Sequence, residues 1–356
     1  MTGKSLKIGV LTFHRCINYG SYWQARCLVE GLRGRGHDAV LLDHVSPEVN
    51  SRELRCAFQP QLPVRTPRSD HPAYGRKTRT FLQAQEGLPL SRRFDLDTGA
   101  PTEAFDAVVV GSDEVWNFQH PWFGGKSLFF GERLGARLVS YAASFGNHDA
   151  QAGMDPFWAD LLRRFSAISV RDENARQLVS QALGIEPAMV LDPCLQFAGE
   201  IPDATAAGDS AYAVVYGHTF PDWFVPQVRG WADAEGLRLV SIGYRNDWAD
   251  EQRIDAGPEE FNRLMAGAAA VATNYFHGCV FALRHGRPFA CAATPYRRNK
   301  LRDLTAQVGA AAHLVDESAT AETYRRLLGA PLDPAIPATI ARLRQAGDAF
   351  LDRALA

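Results

Sequence analysis

The side chains best suited to chemistry are His277, Arg171 and the neighbouring carboxylates Asp113 and Glu114. His277 lies in AAVATNYFHGCVFALRHG, where an apolar run breaks at Thr273-Asn274-Tyr275-Phe276-His277-Gly278 before apolar residues resume at helical spacing. An imidazole at such a strand-to-helix junction can hold an anion or move a proton near neutral pH. Arg171 directly follows the apolar Ile168-Ser169-Val170. A guanidinium at the end of a buried strand needs a carboxylate partner or an anionic ligand. Asp113 and Glu114 follow Gly111-Ser112 and are acid/base candidates, although one of the two is equally well explained as a solvated or capping carboxylate. Other positions have plainer explanations. Asn18-Tyr19-Gly20 can serve a strand connection as readily as face a ligand. Asp172 reads first as a helix N-cap and Asp192-Pro193 as a turn. Trp116 reads first as an aromatic core plug, with sugar stacking the lesser alternative.

The elements that must position these groups alternate between short apolar runs and amphipathic stretches. Strands are predicted at Lys7–Phe13, Ala39–Leu42, Ala107–Val110, Leu138–Tyr141, Ala167–Val170 and Met189–Leu191. The intervening helices fall at Tyr22–Gly34, with Ser21 as a candidate N-cap, Pro156–Phe165 and Asp172–Leu183. GEIPDATAAGDS, residues 199–210, has no periodicity and marks a boundary between a first domain, 1–200, and a second, 201–356. The pattern then restarts, with strands at Tyr212–Tyr216, Arg238–Ile242, Ala269–Thr273 and Phe289–Ala292. Helices are predicted at Trp223–Glu235, Glu259–Ala266, Cys279–Arg284 and Lys300–Val308. The helical tail Pro337–Leu355 could cross back onto the first domain. Residues 46–100, rich in proline and arginine, resist assignment and read as an irregular insert.

This alternation predicts an α/β protein of two Rossmann-like domains with mostly parallel sheets and an interdomain cleft. Nearly all the polar and glycine clusters fall just past a strand end, where ligands bind in open parallel sheets.

Composition narrows the function. Lysine and arginine total 38 against 40 acidic residues, a balance that provides no global field for nucleic acid or an anionic membrane. No apolar run reaches the roughly 18 residues of a membrane span. MTGKSLKIGVLTFH lacks the pattern of a secretory signal. The six cysteines are scattered, which suits a reducing cytoplasm and argues against a structural zinc site. A cytoplasmic protein without an integral membrane segment, a metal or a nucleic-acid partner is expected. There is no GxGxxG fingerprint after a strand, no P-loop, no GxSxG elbow and no HExxH.

Taken in order, KIGVLTFHRCINYGSYWQARCLVEGLRGRGHDAVLLD, FDAVVVGSDEVWN, LVSYAASFG, AISVRDENARQLV, VLDPCL, VATNYFHGCVFALRHGRPF and NKLRDLTAQVG resemble the polysaccharide pyruvyl transferase family. These stretches span residues 7 to 309. The resemblance implies a GT-B-like architecture and transfer of the enolpyruvyl-derived group of phosphoenolpyruvate onto a sugar, glycan or glycolipid, giving a pyruvate ketal with no cofactor. It implies donor binding by Arg171 and His277, with Lys300 and Arg302 where relatives place a basic residue, and Arg297 or Arg298 assisting. His277 is then both phosphate binder and acid, and Asp113 or Glu114 deprotonates the acceptor hydroxyl. Asn18, Tyr19 and Trp116 are assigned to the acceptor. In one respect the chain departs from the family, because several relatives carry arginine where Tyr275 stands. A tyrosine lacks the charged fork of arginine, so Arg284, Arg297 or Lys300 must compensate or the donor must differ. The alternatives are a GT-B-like glycosyltransferase using a nucleotide-sugar and a non-catalytic carbohydrate-binding protein.

Overall fold

The computed structural model describes residues 5–202, 211–294 and 297–356; most of the expected boundary segment, 203–210, lies outside the described residues. The chain forms two compact units. The first comprises residues 1–53, 85–200 and 340–356, and the second 54–84 and 201–339.

The first unit is built on five parallel strands in the order Asp38–Leu41, Lys7–Leu11, Ala107–Val110, Arg137–Ser140 and Phe165–Ala167. The strands are short and rich in valine, leucine and isoleucine because helices cover both faces of such a sheet. Chain order reverses between Lys7–Leu11 and Ala107–Val110, so the loops after these two strands lie at the position where ligands bind in open parallel sheets. A separate parallel pair, Ser169–Val170 with Ala188–Met189, carries Arg171 at its end. The helix Ala335–Ala354 contributes its last turns to this unit: Arg344 Nε donates to the Leu195 carbonyl (2.6 Å), and Arg35 pairs with Asp348 (2.8 Å).

The second unit has six parallel strands in the order Glu251–Arg253, Arg238–Ile242, Tyr212–Tyr216, Val271–Thr273, Phe289–Ala292 and Leu314–Val315. Numbered within the unit this is 3-2-1-4-5-6, the dinucleotide-fold order, with its reversal between Tyr212–Tyr216 and Val271–Thr273. Phe224, Val228, Trp231, Tyr324 and Leu328 fill one side of the sheet.

The insert is more regular than its sequence suggests. Residues 46–100 hold two helices, Pro47–Phe58 and His71–Glu86, and residues 54–84 pack with the second unit. A smaller difference concerns the first helix, which starts at Tyr19 with Asn18 as its N-cap; Asn18 Oδ1 accepts from the Ser21 amide (3.1 Å). Ser21, expected as the cap, is thereby released for another role.

Candidate active site

In the first unit the loops at the reversal converge on Asp113. Its backbone is in the left-handed region (φ 74°), a conformation that aspartate tolerates better than most residues. Asp113 Oδ2 accepts from Ser21 Oγ at 3.0 Å, and Oδ1 accepts from Arg171 Nη2 at 3.1 Å and from the Glu114 amide at 2.9 Å. Arg171 reaches the other way as well: Nη1 donates to Asp192 Oδ2 at 3.0 Å. Asp192 is itself fixed as the N-cap of Pro193–Gln196, accepting from the Cys194 amide (3.0 Å). Bridges between Asp113 and Ala143 and between Ala143 and Val170 hold the loops in register.

Arg171 is only 3% exposed. Burial opposes its charge, but the fields of Asp113, Asp192, Glu114 and Asp172 outweigh that cost and raise its pKa. The guanidinium expected to grip a donor anion is therefore engaged with carboxylates, two of them by direct hydrogen bonds. Asp172 is the N-cap of Glu173–Leu183, accepting from the Ala175 amide at 2.8 Å.

Glu114 is buried and accepts from Asn117 Nδ2 (2.9 Å). Gly146 makes that approach feasible. A Cβ there would lie 2.2 Å from Glu114 Oε2, and its φ is +60°. Trp116 is a core residue: fully buried, it donates from Nε1 to the Phe129 carbonyl (2.9 Å) and packs against Phe130, Phe145 and Phe165. Its ring faces are occupied by protein, which removes it from the acceptor-binding candidates. Tyr19 is also fully buried, and Asn18 is half-buried at the helix cap.

In the second unit His277 is the second residue of the helix Phe276–Arg284, immediately beyond the strand that borders the reversal. Two glycines permit the tight approach. A Cβ on Gly278 would lie 2.0 Å from Thr273 Oγ1, and one on Gly217, at φ +138°, would lie 2.1 Å from Asn274 Oδ1. Thr273 Oγ1 donates to the Tyr216 carbonyl (2.6 Å) and accepts from the Tyr275 amide (3.0 Å). Asn274 Nδ2 donates to the His218 carbonyl (2.9 Å), which ties the two loops together.

Around this junction Tyr275 packs against Tyr216, Tyr244 and His218, with ring centroids 5.2–5.6 Å away. The Arg297 guanidinium lies over the Tyr275 ring at 4.3 Å, and Lys77 Nζ lies over Tyr244 at 4.5 Å while donating to the Gly243 carbonyl (3.0 Å). His218 is pushed down to about 4, by burial first and then by Arg297 and Lys77, so it is neutral at pH 7. Burial raises the Tyr216, Tyr244 and Tyr275 phenols, which therefore remain protonated donors. Neutral phenols beside two cations make a setting that suits an anionic ligand.

Arg297 thus brings positive charge to the Tyr275 ring. Arg284 cannot do so, because it lies at the other end of the helix and donates to the Ile201 carbonyl (3.0 Å). Arg302 is exposed and pairs with its neighbour Asp303 (2.9 Å); Lys300 is half-buried on the same helix. Lys77 and Tyr244 were not among the sequence candidates. Lys77 sits in the Arg-rich insert, where nothing local distinguishes it from a solvated base.

A family model described as polysaccharide pyruvyl transferase matches residues 18–294, and the chain belongs to that family. No curated protein sequence matches it. Among solved structures, the UDP-GlcNAc 2-epimerase from Methanocaldococcus jannaschii is similar in fold, with a TM-score of 0.51 at 11% identity over 95% of this chain and 99% of that one. The glycosyltransferase SnogD from Streptomyces nogalater aligns with a TM-score of 0.40 at 15% identity, over 99% and 98% of the two chains. The first likeness bears on fold alone and agrees with the expected GT-B-like α/β class; the second is too distant to bear on it.

Proposed function

We propose that the protein transfers the enolpyruvyl-derived group of phosphoenolpyruvate onto two hydroxyls of a sugar or glycan, forming a pyruvate ketal. The observation that carries this reading is the family match across residues 18–294. The second unit's cation-and-phenol cluster supports an anionic donor. Phosphoenolpyruvate bears a carboxylate and a phosphate of about −1.5 to −2 charge, and charge-assisted hydrogen bonds to such a ligand contribute roughly 1.5–3 kcal/mol each.

In this reading His277 binds the phosphate and delivers a proton to the methylene carbon, leaving C2 oxocarbenium-like. The first acceptor hydroxyl adds at C2 and loses its proton to Asp113 or Glu114. The C2–O bond to phosphate then breaks, its electron pair leaving with the phosphate oxygen, and the second hydroxyl adds at C2 and closes the ring, its proton passing to the departing phosphate. Arg171 acts as a positioning residue, holding Asp113 between itself and Ser21. Arg297 takes over the charge that an arginine at position 275 would supply, while Lys300 and Arg302 remain candidates for guiding the donor. Asn18 and Tyr19 shape the acceptor side through the first helix. No metal is required, because arginine and lysine can neutralise the donor.

Incubation with phosphoenolpyruvate and a panel of sugar acceptors tests the reading directly. A product heavier by pyruvate minus water, with release of inorganic phosphate, is expected. Neither mass gain nor phosphate release across the panel, combined with thermal stabilisation by nucleotide-sugars alone, would move the protein to the glycosyltransferase class. Stabilisation by neither ligand class would favour carbohydrate binding without catalysis.

A further inference from the structure

The connection between the two insert helices ends in an apolar, basic tip. Leu62 is 46% and Val64 is 66% exposed, with Pro63 between them also exposed. Arg65 and Arg68 follow, both exposed. Of the six large hydrophobic side chains exposed among the described residues, Leu54, Leu62, Val64 and Leu82 all fall within residues 54–84. That segment carries six basic residues against a single acidic one, Asp70, in a chain whose formal net charge is −2. Asp70 is itself buried and paired through both oxygens with Arg245.

The tip is held in shape by its base. Gln59 Oε1 accepts from the Thr66 amide (2.9 Å), Gln61 Nε2 donates to the Arg245 carbonyl (2.9 Å), and the Val64 amide donates to the Gln61 carbonyl (3.0 Å). A leucine and a valine held in water on a built turn gain free energy when something covers them. The charge beside them decides what. A specific protein–protein interface needs on the order of 1,000 Å², far more than one turn provides. A bilayer needs only shallow insertion of a few apolar side chains next to bases that meet anionic headgroups. No described helix is long and apolar enough to cross a membrane, so any contact made by this tip is peripheral.

We propose that the turn Leu62–Arg68 anchors the protein on bilayers carrying anionic headgroups, Leu62 and Val64 entering the headgroup boundary while Arg65 and Arg68 pair with lipid phosphates. The anchor is independent of the transfer reaction.

Co-sedimentation of the full chain with two vesicle types tests this: phosphatidylcholine alone, and phosphatidylcholine with an equal part of phosphatidylglycerol. The protein pellets with the anionic vesicles at low salt, at least about fivefold less with the neutral ones, and less again as salt screens the arginines. Leu62→Asp with Val64→Asp abolishes pelleting, and so does Arg65→Glu with Arg68→Glu. All four side chains are exposed, so both double variants keep the wild-type melting temperature. The proposal is overturned if the wild type stays in the supernatant with anionic vesicles, or if it pellets equally with neutral ones. Loss of binding in the arginine variant alone also overturns it, since adsorption by charge would then suffice without the apolar tip.

Discussion

Arg171 and Arg297 are both arginines near a strand end, and the structure gives them different work. Arg171 is buried between Asp113 and Asp192, so removing it strands two carboxylates in a dehydrated site. Arg171→Ala is expected to cost on the order of 3–5 kcal/mol of stability and to lower kcat through displacement of Asp113. Arg171→Lys keeps the charge without the fork, recovering most of the stability but little of the rate. Equal melting temperatures for wild type and the alanine variant would show that the pairing contributes nothing. Arg297 rests on the Tyr275 ring. Its loss in Arg297→Ala should raise KM for phosphoenolpyruvate roughly tenfold, about 1.4 kcal/mol, with kcat changed far less. Tyr275→Ala, which removes the ring under the guanidinium, should move KM the same way by a smaller factor. His277→Ala, in contrast, is expected to reduce kcat by about 10²-fold or more with the fold intact; near-wild-type turnover in that variant would remove the histidine from the reaction.

Elements carry these residues to their places, and the glycines at strand ends set how closely. Gly278→Ala would push a methyl to 2.0 Å from Thr273 Oγ1, the atom that ties Tyr275 to the strand end. The loop must shift, so a fall in donor affinity and in melting temperature should appear together in that variant; an unperturbed calorimetric titration with phosphoenolpyruvate would show that the close approach is dispensable. Much of this frame was legible in the sequence. The strands Ala107–Val110, Tyr212–Tyr216, Arg238–Ile242 and Phe289–Ala292 were read at their observed limits because short, mostly apolar runs of that length suit a buried parallel sheet. Asp172 was legible as an N-cap for a similar local reason. The insert helices were not. The helix His71–Glu86 buries Tyr74, Lys77, Thr78, Phe81 and Gln85, a stripe of helical spacing in which three of the five residues are polar. Hydropathy therefore hid the period, and the prolines at 47 and 72, which open helices as readily as they break them, gave no help. Nor could the sequence show that Arg171 meets Asp113 and Asp192, since those contacts join residues 58 and 21 positions away.

At the scale of the whole molecule, both units store neutral histidines whose cost emerges only in acid. His44, fully buried in the first unit with Nε2 donating to the Thr12 carbonyl (2.9 Å), is pushed down to about 3, by burial first and then by His14. In the second unit His218 and His285 are each pushed down to about 4, again by burial first, with Arg297 and Lys77 adding to the effect at His218 and Arg284 and Arg287 at His285. The unfolded chain protonates these imidazoles near 6.5, whereas the folded chain resists until about pH 3–4. Above 6.5 neither state binds the proton, and stability is independent of these groups. As pH falls below 6.5 the unfolded state takes up protons that the native state refuses, so stability drops, by roughly 1.4 kcal/mol per histidine per pH unit at the limiting slope. Acid removes a second contribution below the ordinary aspartate range. Arg245 holds the Asp70 carboxyl low in the second unit, and His14 and Arg15 hold Asp43 low in the first against the opposing effect of burial. Protonating these carboxylates breaks their pairs, so the two losses follow one another on acidification and neither unit is spared. Urea unfolding midpoints taken from pH 7.5 to pH 4 should therefore stay level down to about 6.5 and then fall steeply. A midpoint that held constant to pH 4.5 would mean that the three histidines are not dehydrated in the native state.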